Sequence, residues 1–257
     1  MNLHKLYLTE NDCYKRGQHI NPKGVMVHSC GANNPNLRRY VGPDDGLLGE
    51  NPNGNHWNRP GTGACVHAFI GKLADGSIAT YQTLPWNWRG WHAGGAANNT
   101  HIGFEICEDG LTDASYFSAV YQEAVELTAY LCKEFSLDPL ADGVVICHQE
   151  GYQRGVASNH ADVLHWFPKM GKTMDDFRAD VARAMKGGDT VTQEQFDAMM
   201  DNWLARRAAL PASEWAVPYI SEAIDKGYMA DVGGSIERPQ SFVTREELAT
   251  VAAAIGK

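Results

Sequence analysis

Two hydrophobic periods follow one another along this chain, and their order limits the fold more than any other feature. Up to about residue 110, short apolar segments are separated by Gly, Asn and Pro clusters: Gly24-Val25-Met26-Val27-His28, Ala64 to Ile70, Ser77-Ile78-Ala79-Thr80-Tyr81 and Ile102 to Cys107. Such segments read as strands, and Asp75-Gly76 between two of them reads as a hairpin turn. The period then changes. Phe117, Val120, Tyr121, Ala124, Leu127, Leu131 and Phe135 recur at steps of three and four, which predicts a long helix that Asp138-Pro139 stops. After it, Val144-Val145-Ile146-Cys147 is apolar without alternation, bounded by Gly143 and ending at His148, which predicts a buried central strand. Thr173 with Asp176 offers the N-cap of a second helix carrying Phe177, Val181 and Met185, closed by Gly187-Gly188. Strands first, helices later and one more strand between them make a mixed α/β domain over residues 1–186.

At roughly 150 residues per domain, a chain of 257 residues holds one large domain and something smaller. We expect a linker at 187–192 and a helical C-terminal domain at 193–257. Thr192 with Gln195 and Thr244 with Glu247 are capping boxes, and Pro211, Pro218 and Pro239 punctuate the stretch between. A unit this small has little room for a core, so it packs as an appendage or self-associates into a homo-oligomer.

Composition excludes several classes. With 44% hydrophobic and 21% charged residues the chain is not disordered. No apolar run approaches the roughly 18 residues of a membrane span, and the first ten residues lack the continuous apolar stretch of a signal peptide, so cytoplasmic synthesis without membrane association is expected. A net charge of −9 argues against non-specific nucleic-acid binding, which needs a basic footprint. The six cysteines include no CxxC pair and sit mostly in apolar runs, so they read as reduced, buried thiols.

Three groups that could carry chemistry fall where strands give way to loops: His28 after Val25-Met26-Val27, His148 after the apolar run, and Asp162 fourteen residues further on. Two neutral imidazoles and one carboxylate leave a fourth zinc position open, the coordination of a catalytic rather than a structural zinc. Spacing alone does not single them out among ten histidines. Alternation in Ile102 to Cys107 points Ile102, Phe104 and Ile106 inward and Glu105 to the opposite face, where a solvated edge is the simplest setting. By the same rule Cys147 faces away from His148, while Cys30 shares a side with His28. His67 alternates with Val66 and Ala68, Glu150 is a second candidate base, and Trp86, Trp88 and Trp91 form an aromatic cluster suited to a groove wall.

From Gly24 to Phe167 the chain resembles the type 2 zinc amidases, the N-acetylmuramoyl-L-alanine amidases that include phage lysins and peptidoglycan recognition proteins. The resemblance is carried, in order, by Gly24 to His28, by Val66 to Ile70 through Asp75-Gly76 to Tyr81-Gln82-Thr83-Leu84-Pro85, and by Trp91-His92-Ala93-Gly94. Asn98-Asn99 with Ile102 to Cys107 follows, then Ile146-Cys147-His148, Asp162 and Trp166-Phe167-Pro168. It implies a central mixed β-sheet flanked by helices, with a cleft holding one zinc per chain at the strand ends. It makes His28, His148 and Asp162 the ligands, Glu105 the carboxylate that takes a proton from water, and Trp91, His92, His67 and Trp88 the substrate-binding set. Where many relatives place Lys, this chain has His160, an imidazole that could steady the oxyanion but whose charge changes near neutral pH. The Pro that usually follows the third ligand is replaced by Val163-Leu164-His165, which leaves His165 as a rival ligand.

The implied activity is hydrolysis of the amide between N-acetylmuramic acid and L-alanine in peptidoglycan, by a phage or prophage endolysin released to the wall through a separate pore. A cytoplasmic amidase that recycles muropeptides and a non-catalytic peptidoglycan-binding protein are the alternatives. In the tail, Trp215-Ala216 through Gly227-Tyr228-Met229 to Val243 to Leu248 resembles a single S-layer-homology-type repeat, a wall-attachment module. The net charge of −4 over residues 186–257 makes it no electrostatic anchor for an anionic wall.

Overall fold

A computed structural model describes residues 1–187, 193–233, 235–237, 239–241 and 248–249. These fall into two compact units, Met1–Gly188 and Asp189–Lys257. In the first, β1 (Leu3–Lys5), α1 (Asp12–Arg16), β2 (Gly24–Asn33), β3 (Ala68–Lys72), β4 (Ile78–Gln82) and β5 (His101–Glu108) precede α2 (Ala114–Glu134). Then come β6 (Val145–Cys147), α3 (His148–Gln153) and α4 (Met174–Met185). The strands form one sheet in the order β1-β4-β3-β5-β2-β6, parallel except for the β3–β4 hairpin. That hairpin turns at Asp75-Gly76, where Gly76 takes φ +86° and Asp75 accepts from the Ser77 amide.

The sheet is apolar on the face that α2 covers. Val25, Val27, Ile70, Ile102, Phe104, Ile106 and Cys147 meet Phe117, Val120, Ala124 and Leu131 of α2, together with Phe177 and Val181 of α4. The period-two and period-3.6 patterns thus bury their stripes against each other. Asp113 caps α2 through the Ser115 and Tyr116 amides, and Thr173 and Asp176 close a capping box on α4. The opposite face is covered by loops: Met26 and Ile146 meet Ala93 and Ala97, while Phe69, Tyr81 and Cys107 meet Leu37 and Tyr40. The cleft opens on this face.

Three expectations need correction. β6 is fully buried but lies at the sheet's edge, paired to β2 alone. Its free side is closed by side chains: Arg178 donates to Val145 O at 2.9 Å, and the Cys147 amide donates to Glu150 at 3.0 Å. A run without alternation reports burial of both faces and says nothing about edges. His28 does not end its strand either. β2 runs on to Asn33, with a bulge after Ser29 where four residues on β2 span two on β5. His148 is the first residue of α3, a short helix that the sequence reading lacked, as it lacked α1 and the three-residue β1.

In the second unit the described helices are α5 (Gln193–Ala208) and α6 (Val217–Asp225). Both expected capping boxes and most of the linker fall outside the described residues. Among the described residues no helix is long and apolar enough to cross a membrane.

Candidate metal centre

Two neighbouring strands and one loop bring the predicted ligands together. His28 extends from β2, His148 from the first turn of α3 directly after β6, and Asp162 from the loop before Val163, which is itself buried in the main core. Since β6 pairs with β2, the two histidines lie at the same level of the sheet although 120 residues separate them. His28 Nδ1 is 3.0 Å from His148 Nδ1 and 3.2 Å from Asp162 Oδ2, and His148 Nδ1 is 3.3 Å from Asp162 Oδ2. Tetrahedral zinc with bonds of about 2.0–2.1 Å to nitrogen and oxygen has ligand edges of about 3.3–3.4 Å. The donor set therefore fits a four-coordinate metal with one position left for water or substrate.

Electrostatics agree with that use. Burial pushes the His28 imidazole towards its neutral form, against the pull of Asp162. Burial opposes ionisation of Asp162, but the His148 and His28 imidazoles beside it hold its carboxyl well below the usual carboxylate range. Neutral imidazole and ionised carboxylate are the forms that bind metal.

Glu105 pairs with His28 across the β2–β5 register, so the two share a face. Alternation placed Glu105 opposite Phe104 and Ile106 correctly, but that face is the cleft and not a solvated edge. Burial, then the nearby Asp162 and Glu108 carboxylates, push its carboxyl well above the ordinary range. Its Oε2 is buried without a hydrogen-bond partner. An orphaned carboxyl oxygen beside three converging donors marks a place where a further group is expected to sit.

The cleft encloses about 490 Å³, and its lining includes Trp91, His92, Glu105, Ser158 and His160. His160 is exposed at the rim, its ring 4.7 Å from that of His148. Trp91 forms part of the wall, with the Arg16 guanidinium 5.8 Å from its ring. Cys30 lines the cleft, as do Ser29 and Gly31 around it where β2 bulges, but lies outside the metal-capable cluster.

Other candidates are placed elsewhere. His67 is fully buried, its Nε2 donating to Trp88 O at 2.7 Å and its Nδ1 accepting from the Gly103 amide at 3.0 Å, so it cannot touch substrate. Trp88 packs on Tyr14 and His19 and does not line the cleft. Trp86 packs against the main core and Tyr130. His165 is bound to Glu108 at 2.8 Å, which removes it as the rival ligand. Glu150, read as a second base, instead caps α3 and is held by Arg178 at 3.0 and 3.1 Å. His92 reaches the cleft, but both ring nitrogens are engaged, Nδ1 with His28 Nε2 at 3.0 Å and Nε2 with His101 O at 3.1 Å. Ser158, which the sequence reading did not single out, is 3.1 Å from His148 Nε2.

Among solved structures, the fold is similar to the Staphylococcus aureus hydrolase AmiA in complex with its ligand. The TM-score is 0.54 at 16% identity, over 76% of this chain and 86% of that one. It is also similar to PlyL, with a TM-score of 0.50 at 17% identity, over 70% of this chain and 96% of that one. No curated protein sequence matches the chain. The stretch from residue 18 to residue 165, more than half the chain and inclusive of all three converging donors and Glu105, matches the family Amidase_2, N-acetylmuramoyl-L-alanine amidase, and the chain belongs to that family.

Proposed function

We propose that this peptidoglycan amidase works with a single zinc ion held by His28, His148 and Asp162. The observation that carries the reading is the convergence of those three donors within 3.3 Å beside the buried, unpartnered Oε2 of Glu105. When bound, zinc acts as a Lewis acid on the scissile carbonyl and makes the attacking water more acidic.

The chain's own residues do the rest. Glu105 Oε2 takes the proton from the attacking water, a task suited to a carboxyl whose proton affinity burial has raised. As the bond between the lactyl carbonyl carbon and the L-alanine nitrogen breaks, Glu105 returns that proton to the departing amine, leaving a free carboxylate on the muramic acid. His160, at the rim, offers a ring N–H to the developing oxyanion. Trp91 gives the groove an apolar wall for the sugar or the first stem residue.

The test is incubation of the full chain with intact peptidoglycan, with zinc and with chelator, followed by mass spectrometry of the soluble products. Stem peptides with a new N-terminal alanine, released only with metal, are expected. Binding to the wall without cleavage under both conditions would overturn the reading in favour of a recognition protein.

The wall-lytic role, with release from the cytoplasm through a separate pore, is also our proposal and rests on the resemblance to phage lysins. Faster cleavage of soluble muropeptides than of intact sacculi would replace it with a recycling role. For the C-terminal unit we propose wall attachment or self-association. Its Trp215 and Tyr219, 76% and 69% exposed, offer the aromatic surface either would use.

A further inference from the structure

Two residues of the cleft lining, His92 and Ser158, each contact one of the two imidazole donors. His92 Nε2 lies 3.1 Å from the backbone oxygen of His101. A carbonyl only accepts, so a neutral His92 ring carries its proton on Nε2 and presents Nδ1 as an acceptor. That acceptor is 3.0 Å from His28 Nε2, which must therefore be the protonated nitrogen of His28. Ser158 repeats the logic for the other ligand. Its Oγ lies 3.3 Å from Ala93 O, to which only the hydroxyl can donate, and so its lone pair takes the N–H of His148 Nε2 at 3.1 Å.

Both relays end the same way. The proton of each ligand ring is drawn to Nε2, and both Nδ1 lone pairs are left bare and aimed at one another across 3.0 Å, with the Asp162 oxygen beside them. Three acceptors facing each other without a proton between them is an arrangement that a cation relieves.

The backbone makes room for this outer pair. A Cβ on Gly103 would come within 2.4 Å of the His92 ring, and one on Gly94, at φ +63°, within 2.6 Å of Ser158 Oγ. Two glycines thus hold open the volumes that His92 and Ser158 fill.

We propose that His92 and Ser158 are positioning residues that set His28 and His148 in the Nε2–H tautomer and so preform the metal site. The role rests on the reading that His28, His148 and Asp162 hold a metal. Groups of this kind typically change metal affinity about 10- to 100-fold when removed.

The experiment compares the full-length wild type with His92→Phe, His92→Asn and Ser158→Ala. Zinc affinity is measured by competition with a chromophoric chelator, and ring tautomers by ¹⁵N chemical shifts of the metal-free proteins. His92→Phe and Ser158→Ala are each expected to weaken zinc binding by about 10- to 100-fold. His92→Asn, whose side-chain oxygen can stand where Nδ1 stood, is expected to recover most of the loss. In the metal-free wild type, His28 and His148 should both show protonated Nε2, with each variant releasing the ring it contacts into a mixture. Ser158→Ala removes one oxygen from a half-buried loop position, so it keeps the test decisive if a His92 variant fails to fold. Equal zinc affinity in the wild type and the folded variants, or protonated Nδ1 on either ligand in the metal-free wild type, overturns the positioning role alone. Absence of zinc uptake by the wild type overturns the metal reading and this role with it.

Discussion

His28 and Glu105 are partners in the parallel register of β2 and β5, so an imidazole of the metal-capable triad and an acid with no hydrogen bond at its Oε2 rise from adjacent strands on one face of the sheet. Neither depends on a loop for its place. The bulge in β2 begins only after Ser29, beyond the pair, and the Gly31 amide within it is bound to Glu108. A rigid scaffold fixes the distance between the two side chains.

Glu105→Gln should lower kcat by about 100- to 10,000-fold, the range for losing a general base. Zinc uptake should be unchanged, since Glu105 is not among the donors. Thermal stability should not fall, because the amide replaces a buried acid crowded by Asp162 and Glu108. Kinetics, metal content and a melting curve on one preparation check all three, and loss of zinc in this variant would count against the assigned roles.

His67 makes stability depend on pH. Burial holds its folded-state pKa at about 4, although the backbone carbonyls of Trp88 and Gly103 beside the ring pull the other way. The unfolded imidazole protonates near pH 6.5, so between about 6.5 and 4 the unfolded chain binds the extra proton and stability declines as pH falls. The contribution is complete above about 6.5, and the loss approaches about 3 kcal/mol by pH 4. Urea melts across this window measure the decline, and an NMR titration in which the His67 ring protonates near 6.5 would remove its cause.

Arg178 closes the outer side of β6 through Val145 O and grips Glu150, the cap of the helix that presents His148. Arg178→Met should cost about 1–3 kcal/mol by leaving these partly buried acceptors unpaired. Arg178→Lys should recover little, because an ammonium cannot reproduce the two-pronged contact. Denaturant midpoints decide it, and full recovery by Lys would mean that charge alone suffices.

Burial raises the thiol pKa of Cys132 and Cys147 to about 12. Both should resist maleimide labelling at pH 8 in the folded protein, whereas all six cysteines should react after denaturation. Mass spectrometry of pulse-labelled protein reads the difference directly.

Much of this architecture was legible in the sequence because periodicity reports burial. The steps of three and four from Phe117 to Phe135 marked the covered face of α2, and alternation through Ile102 to Cys107 put Glu105 on the correct side. What alternation lacks is the identity of the facing environment, so a cleft and a solvated edge read alike. The candidate metal donors lie beyond the reach of spacing, since His28 and His148 meet only through β2–β6 pairing; the family resemblance pointed to them, and the fold brings them together as a metal-capable group. His67 and Trp88 were read as substrate-binding from the same resemblance, yet one is sealed in the core and the other packs on Tyr14. Ser158 carried no signal of its own. For His92 the available hint was a glycine in the middle of a strand, at Gly103, whose missing Cβ leaves room for the ring.

Gly103 also changes what counts as part of the active centre. A methyl group there would displace the His92 ring while touching neither a donor nor the substrate. In a mutational scan Gly103→Ala is expected to weaken zinc binding as His92→Phe does, with no polar atom altered, and sorting by chemical type would file it under core packing. The place of the His92 ring thus depends on a methyl group that is missing from the middle of β5.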